Sequence, residues 1–178
     1  MCMADPGGND PERTPDESEC RKLLKQYNTP EEVVAHCLAV TRKALEISDA
    51  LYTGCRIDRE LVKAAAMLHD IAKTKTDHAA TGADYLMRRG YPRVADIIRS
   101  HHCLTPDDLE ALNESTIVFY ADKLINGTIE VGLEERFSVS RLRCDNNEAL
   151  ASHDLQLRQA LKARELIKKH LFGEVFIC

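Results

Sequence analysis

The residues Ala64-Ala65-Ala66-Met67-Leu68-His69-Asp70-Ile71-Ala72-Lys73 constrain the fold of this chain more than any other stretch. A run of small and apolar residues reads as a tightly packed helix that is buried on every side. The run then delivers an imidazole, a carboxylate and, three residues on, an ammonium. Burying an unpartnered charge costs on the order of several kcal/mol, so a His-Asp pair at the end of such a helix needs a neutralising partner. A metal ion would serve. On the dipeptide alone a fraying helix end in solvent is the simpler account, and the rest of the chain decides between them.

The surrounding sequence reads as helix throughout. From about Ser18 to Tyr27 a short helix is expected. Thr29-Pro30-Glu31-Glu32 is a start signal, with Thr29 as cap, Pro30 at the first helical position and Glu32 closing a capping box. The helix it opens should reach about Leu51, with Val33, Val40, Ala44, Ile47 and Leu51 on one face and His36 among them. Gly54 breaks the chain, and Asp58 caps a helix from Arg59 to about Ala72. Asp77 caps the next, His78 to about Arg89, closed by Gly90. Pro92 opens a helix that runs to Ser100-His101-His102, and Thr105-Pro106-Asp107-Asp108 repeats the cap-and-proline device. Ser115 or Thr116 starts an apolar helix through Ile125, and a long amphipathic helix spans 148–171, with Leu150, Leu157, Leu161 and Ile167 among its charges. No stretch alternates as a strand should, and Asn126-Gly127-Thr128 reads as a plain turn. The expected architecture is all-α, with about seven helices.

Composition adds limits. With 178 residues, 44% hydrophobic and 30% charged, there is room for one domain with a real core. We expect a disordered tail over 1–17 and a single domain over 18–178, with its core at 30–137. A net charge of −5 and no sustained Lys/Arg stripe argue against a nucleic acid polymer as partner. No apolar run is long enough for a transmembrane span and the first residues carry no apolar signal core, so a cytoplasmic protein that makes no membrane contact is expected. The seven cysteines form no CxxC pair, which points to reduced thiols rather than a zinc ribbon. Cys37 and Cys103 read as packing residues, and His153 and His170 as solvent-facing. The oligomeric state is left open.

Chemistry is concentrated in the polar residues that sit where core helices should be apolar: His36, His69, Asp70, His78, His101, His102 and Asp122. Neutral imidazoles and carboxylates brought from several helices into one interior make a metal site. Without thiolates, they suit iron, manganese, zinc, cobalt or nickel. They are too many for one ion that keeps open positions, whereas two metals bridged by a carboxylate would use them all.

The order His36 … His69-Asp70 … Asp122 resembles the H…HD…D pattern of the HD-domain metal-dependent phosphohydrolase superfamily, and His78 with His101-His102 resembles its dinuclear branch. Lys73 in HD-x-x-K, Ala79 to Gly82, and Tyr120-Ala121-Asp122-Lys123 strengthen the likeness, the last looking similar to the symmetrical diadenosine-tetraphosphate hydrolase branch. The resemblance implies an HD-domain helical bundle that hydrolyses a nucleotide or other small phosphate ester or anhydride with a hydroxide generated at two divalent transition metal ions, iron or manganese foremost. It places His36, His69, Asp70 and Asp122 around one metal, with Asp70 bridging to a second held by His78 and His101. Lys73 and His102 would meet substrate phosphate, His102 being a ligand in the alternative. Two other readings stand beside it, a di-iron oxygenase of the same fold and a nucleotide-sensing module without turnover. Arg136 and Arg141 read as surface charges, with closure over a substrate as the alternative.

Overall fold

A computed structural model of the chain describes residues 12–51 and 56–172. Among these are eight α-helices, one more than expected: α1 (Glu17–Tyr27), α2 (Glu31–Ala50), α3 (Arg59–Leu68), α4 (His78–Arg88), α5 (Pro92–Ser100), α6 (Glu114–Lys123), α7 (Leu133–Arg141) and α8 (Asn147–Phe172). A 3-10 turn covers Asp107–Leu109, and a small antiparallel ribbon pairs β1 (Ile125–Asn126) with β2 (Ile129–Glu130). The fold is all-α. Among the described residues no helix is long and apolar enough to cross a membrane.

Helix α3 occupies the middle, packed by α1, α2, α5 and α6. Leu61, Val62 and every residue from Ala64 to Leu68 are buried. Its alanines let neighbouring helices approach closely, because a methyl side chain holds axes near the short end of the usual 8–10 Å range. Helix α4 packs on α5, which contacts α3, and Gly82 lets α4 approach the turn after α3: a Cβ there would lie 3.0 Å from Ile71 Cγ2. A smaller core gathers Leu104, Phe119, Leu133, Phe137, Ala160 and Ala163, joining α7 and α8 to α6.

Several boundaries differ from the sequence reading for identifiable reasons. Helix α3 stops at Leu68, not Ala72, and tight i to i−3 bonds follow, with Ile71 N–H donating to Leu68 O and Lys73 N–H to Asp70 O. Thr29 does not cap α2; its hydroxyl donates to Ile71 O at 2.8 Å, and Pro30 is the N-cap with no side-chain bond. Helix α5 likewise ends at Ser100, leaving His101 and His102 in the turn beyond. Asp58 and Asp77 do cap α3 and α4. Helix α7 has only Leu133 and Phe137 as buried apolar residues, too few for a periodic signal. The two-residue ribbon is below the length at which alternation is visible, and Gly127 takes φ +62° between its strands. Of the expected tail, residues 1–11 lie outside the described residues, as does Gly54; Asp16 caps α1 through Glu19 N–H, and Glu17 already belongs to the helix.

Candidate metal centre

Each polar residue singled out in the sequence arrives at one interior point by a different route. His36 lies on α2, His69 and Asp70 on the turn after α3, His78 at the start of α4, His101 and His102 after α5, and Asp122 near the end of α6. Their donor atoms form two groups, each within 4.8 Å: His36, His69 and Asp122 in one, and Asp70, His78, His101 and His102 in the other. The rings are continuous across the groups, with the His69 centroid 5.3 Å from those of both His36 and His101.

Asp70 stands between them. Its Oδ1 lies 3.1 Å from His78 Nε2 and 3.4 Å from His101 Nε2, while Oδ2 lies 3.5 Å from His69 Nε2 and 3.9 Å from His36 Nε2. Asp122 Oδ1 is 3.1 Å from His36 Nε2 and 3.7 Å from His69 Nε2, and its Oδ2 accepts from Lys123 Nζ at 2.8 Å.

Protonation follows from the backbone. A carbonyl only accepts, so the ring nitrogen facing one must be the donor. His36 Nδ1 donates to Gly127 O (2.7 Å), His69 Nδ1 to Ala66 O (2.9 Å) and His101 Nδ1 to Ile98 O. A neutral ring so fixed presents its Nε2 lone pair to the interior, the arrangement that orients imidazole for a metal. Nε2 of His69 and of His101 are buried without a hydrogen-bond partner. Buried polar atoms left unpartnered are uncommon and costly, and a divalent cation fits both of them and the carboxylates between.

Electrostatics agree. Burial opposes the Asp70 carboxylate, but the neighbouring His101 and His69 rings and the Lys73 ammonium overcome it and hold its pKa far below the usual range. Asp122 is opposed by burial in the same way and held down by Lys123 and His36. Burial, helped by nearby cations, lowers the pKa of His78 and His101 and brings His102 to about 2, which favours the neutral rings, with Nε2 of His78 and His102 sharing a hydrogen bond.

The centre opens into a cleft of about 530 Å³. His36, His102, Asp122, Lys73 and Lys123 line its inner end, and Arg136, Arg143 and Gln156 belong to its outer wall, built by α7, the turn after it and α8. Lys73 Nζ lies 3.0 Å from Asp70 Oδ2 with 42% of its side chain exposed, so it faces both the carboxylate and the open space. Arg136 lines the cleft rather than the outer surface, whereas Arg141 pairs with Asp154 at 2.6 Å.

Other expectations need correction. His153 is buried, not solvent-facing: its Nε2 donates to Phe137 O at 3.0 Å and ties α8 to α7. His170 is partly buried and bonds Leu166 O. Cys37 is a buried packing residue, but Cys103 is exposed. Sequence reasoning assigned no role to Lys123 or Arg143. Lys123 had a usable signal, a cation beside a candidate ligand in an apolar helix; Arg143 sits in a charged turn and had none.

An all-α bundle whose interior gathers five imidazoles and two carboxylates is built to hold divalent metal. The chain belongs to the HD domain family, whose model matches residues 33–127, a span that contains all seven donor residues. Among curated proteins it is 30% identical over 161 residues to a tRNA (cytidine(56)-2'-O)-methyltransferase of Picrophilus torridus, covering 81% of this chain and 44% of that protein. It is 34% identical over 123 residues to an uncharacterized protein of Methanocaldococcus jannaschii, covering 59% of this chain and 73% of that one. It is also 30% identical over 115 residues to a dihydroneopterin 2',3'-cyclic phosphate phosphodiesterase of the same organism, covering 51% and 45%. The chain thus spans less than half the length of the methyltransferase and of the phosphodiesterase. No solved structure matches it.

Proposed function

We propose that this chain is a metal-dependent phosphohydrolase that cleaves a phosphate ester or anhydride bond in a nucleotide or similar small compound, with two divalent transition metal ions. The observation that carries the reading is Asp70, whose two oxygens face different imidazole sets, His78 and His101 on one side and His36 and His69 on the other. A carboxylate so placed is the bridge that a two-metal centre requires. His36, His69 and Asp122 would hold one ion and His78 and His101 the other, with Asp70 shared and His102 beside the second. Iron or manganese suits this imidazole and carboxylate set best, with zinc, cobalt or nickel as alternatives.

When bound, such ions lower the pKa of water and polarise phosphoryl oxygens. The chain's own residues do the rest. Three backbone carbonyls fix the tautomers of His36, His69 and His101, so the centre is preorganised before substrate arrives. Lys73 reaches from Asp70 into the cleft, where its ammonium offsets charge on the phosphoryl oxygens. His102, neutral at working pH, donates or accepts a hydrogen bond there without repelling the metals. The name of the M. jannaschii phosphodiesterase supports phosphate ester chemistry. The methyltransferase name belongs to a protein of which the match spans less than half, and a carboxylate bridging two sets of imidazoles has no evident part in methyl transfer.

The test is phosphate release from a panel of nucleotides, cyclic nucleotides and dinucleoside polyphosphates by protein loaded with Mn²⁺, Fe²⁺, Co²⁺ or Ni²⁺, with oxygen uptake measured in parallel. Release by the parent and loss of it in Asp70→Ala, with helix content unchanged by circular dichroism and activity kept in His170→Ala, is the expected result. Oxygen uptake without phosphate release would favour an oxygenase, and ligand binding with neither would favour a sensor; both overturn the proposal.

A further inference from the structure

The outer end of the cleft has no role in the chemistry above, and its composition is unusual for this chain. A volume of about 530 Å³ is far more than one phosphate group needs and falls in the range of sites that enclose a small organic molecule. The substrate therefore brings an organic body, and the question is what its far end carries. Two guanidiniums line that end, Arg136 from α7 and Arg143 from the turn after it. Of the fourteen arginines among the described residues, seven pair with a carboxylate: Arg13, Arg21, Arg59, Arg93, Arg99, Arg141 and Arg164. Among the described residues Arg136 and Arg143 form no ion pair, although Glu135 lines the same cleft. In a chain of net charge −5, a cleft lined by Lys73, Lys123, Arg136 and Arg143 against Asp122 and Glu135 is a local reversal of sign that attracts an anion.

Arg136 is also held in place. Its Nη1 donates to Asn126 Oδ1 at 2.8 Å, and the next residue, Gly127, gives its carbonyl to His36 Nδ1. One small ribbon thus orients a residue of the metal centre and a cation of the outer wall. A neutral amide partner positions the guanidinium without cancelling its charge, and the remaining donors fit a phosphate or carboxylate in a bidentate pair.

We propose that Arg136 and Arg143 form a second anion subsite that binds a charged group of the substrate remote from the phosphate being cleaved. The substrate class is a nucleoside-sized phosphate ester that carries a second phosphate on another carbon. The inference rests on the phosphohydrolase reading for the position of the first phosphate. It concerns residues outside the span 33–127 that the family model matches.

The test is isothermal titration of the full chain in Mn²⁺ buffer with adenosine 3'-phosphate and with adenosine 3',5'-bisphosphate, with phosphate release followed alongside. The parent should bind the bisphosphate at least about tenfold more tightly, the size of one charge-assisted pair. Arg136→Gln/Arg143→Gln should bring the ratio close to one while leaving monophosphate affinity within about twofold, and Arg141→Gln, whose guanidinium is paired with Asp154, should keep the parent ratio. A parent ratio near one, a ratio unchanged in the double variant, or no binding of either ligand overturns the subsite. Discrimination in binding without any phosphate release retains the subsite and removes the hydrolase; release without discrimination does the reverse.

Discussion

Removing the Asp122 carboxylate from metal-free protein should destabilise it chiefly through Lys123. That side chain is 7% exposed, its Nζ donates to Asp122 Oδ2 at 2.8 Å and lies 4.8 Å over the Phe119 ring, and among the described residues no other carboxylate pairs with it. Breaking a buried pair by deleting one partner costs roughly 3–5 kcal/mol, because the surviving charge stays buried. For a chain of this size, each kcal/mol moves the midpoint by roughly 2–4 °C, so Asp122→Ala should lower the melting temperature by roughly 6–20 °C. Lys123→Met removes the orphan and fills similar space. The double variant Asp122→Ala/Lys123→Met should therefore recover most of the lost stability. Scanning calorimetry of the four proteins of this double-mutant cycle in chelator gives the coupling directly. The double variant should still fail to bind metal normally. If Asp122→Ala costs less than about 1 kcal/mol, or Lys123→Met restores nothing, the pair is not what holds Lys123 inside and the reasoning is wrong.

Thr29→Val should cost about 1–2 kcal/mol, because it strips the 2.8 Å hydroxyl bond from Ile71 O; since that bond braces the turn carrying His69 and Asp70, Mn²⁺ affinity should fall too, and a variant with unchanged midpoint and affinity would contradict this. Burial raises the pKa of the Cys20 thiol from 9.0 to about 12 and lifts that of Cys37 in the same direction. Unfolded thiols therefore lose protons first, stability is full below about pH 9 and falls above it by about 1.4 kcal/mol per pH unit for each thiol, and Cys20→Ala should flatten the alkaline limb of a denaturation series. At pH 8 iodoacetamide should label exposed Cys103 and spare Cys20 and Cys37, as read by peptide mass spectrometry; labelling of either buried thiol at a comparable rate would show that the packing around it is looser than described.

The sequence revealed the centre better than its surroundings, for a physical reason. Imidazoles and carboxylates in apolar helices are conspicuous because burial penalises them, and all seven such residues converge. Helices α2 to α6 carry enough buried apolar residues to show a period, and their caps at Asp58 and Asp77 are local signals. Helix α7 buries only Leu133 and Phe137 and has no side-chain cap, so nothing local marks it. The outer wall of the cleft was hidden with it. His153 was misread because one histidine among charges resembles a surface residue, while its burial depends on the carbonyl of Phe137, 16 residues away. Thr29 fits a capping signature that any helix start could use, and only the tertiary contact with Ile71 redirects its hydroxyl.

The central claim is that Asp70 joins two metal positions. It is tested most directly by metal content: chain stripped with chelator, reconstituted anaerobically with Fe²⁺ or Mn²⁺, desalted and analysed by inductively coupled plasma mass spectrometry. The account predicts two ions per chain in the parent, one in His78→Ala, and near zero in Asp70→Ala with helix content preserved. One ion per chain in the parent, or equal metal in the parent and Asp70→Ala, would contradict it.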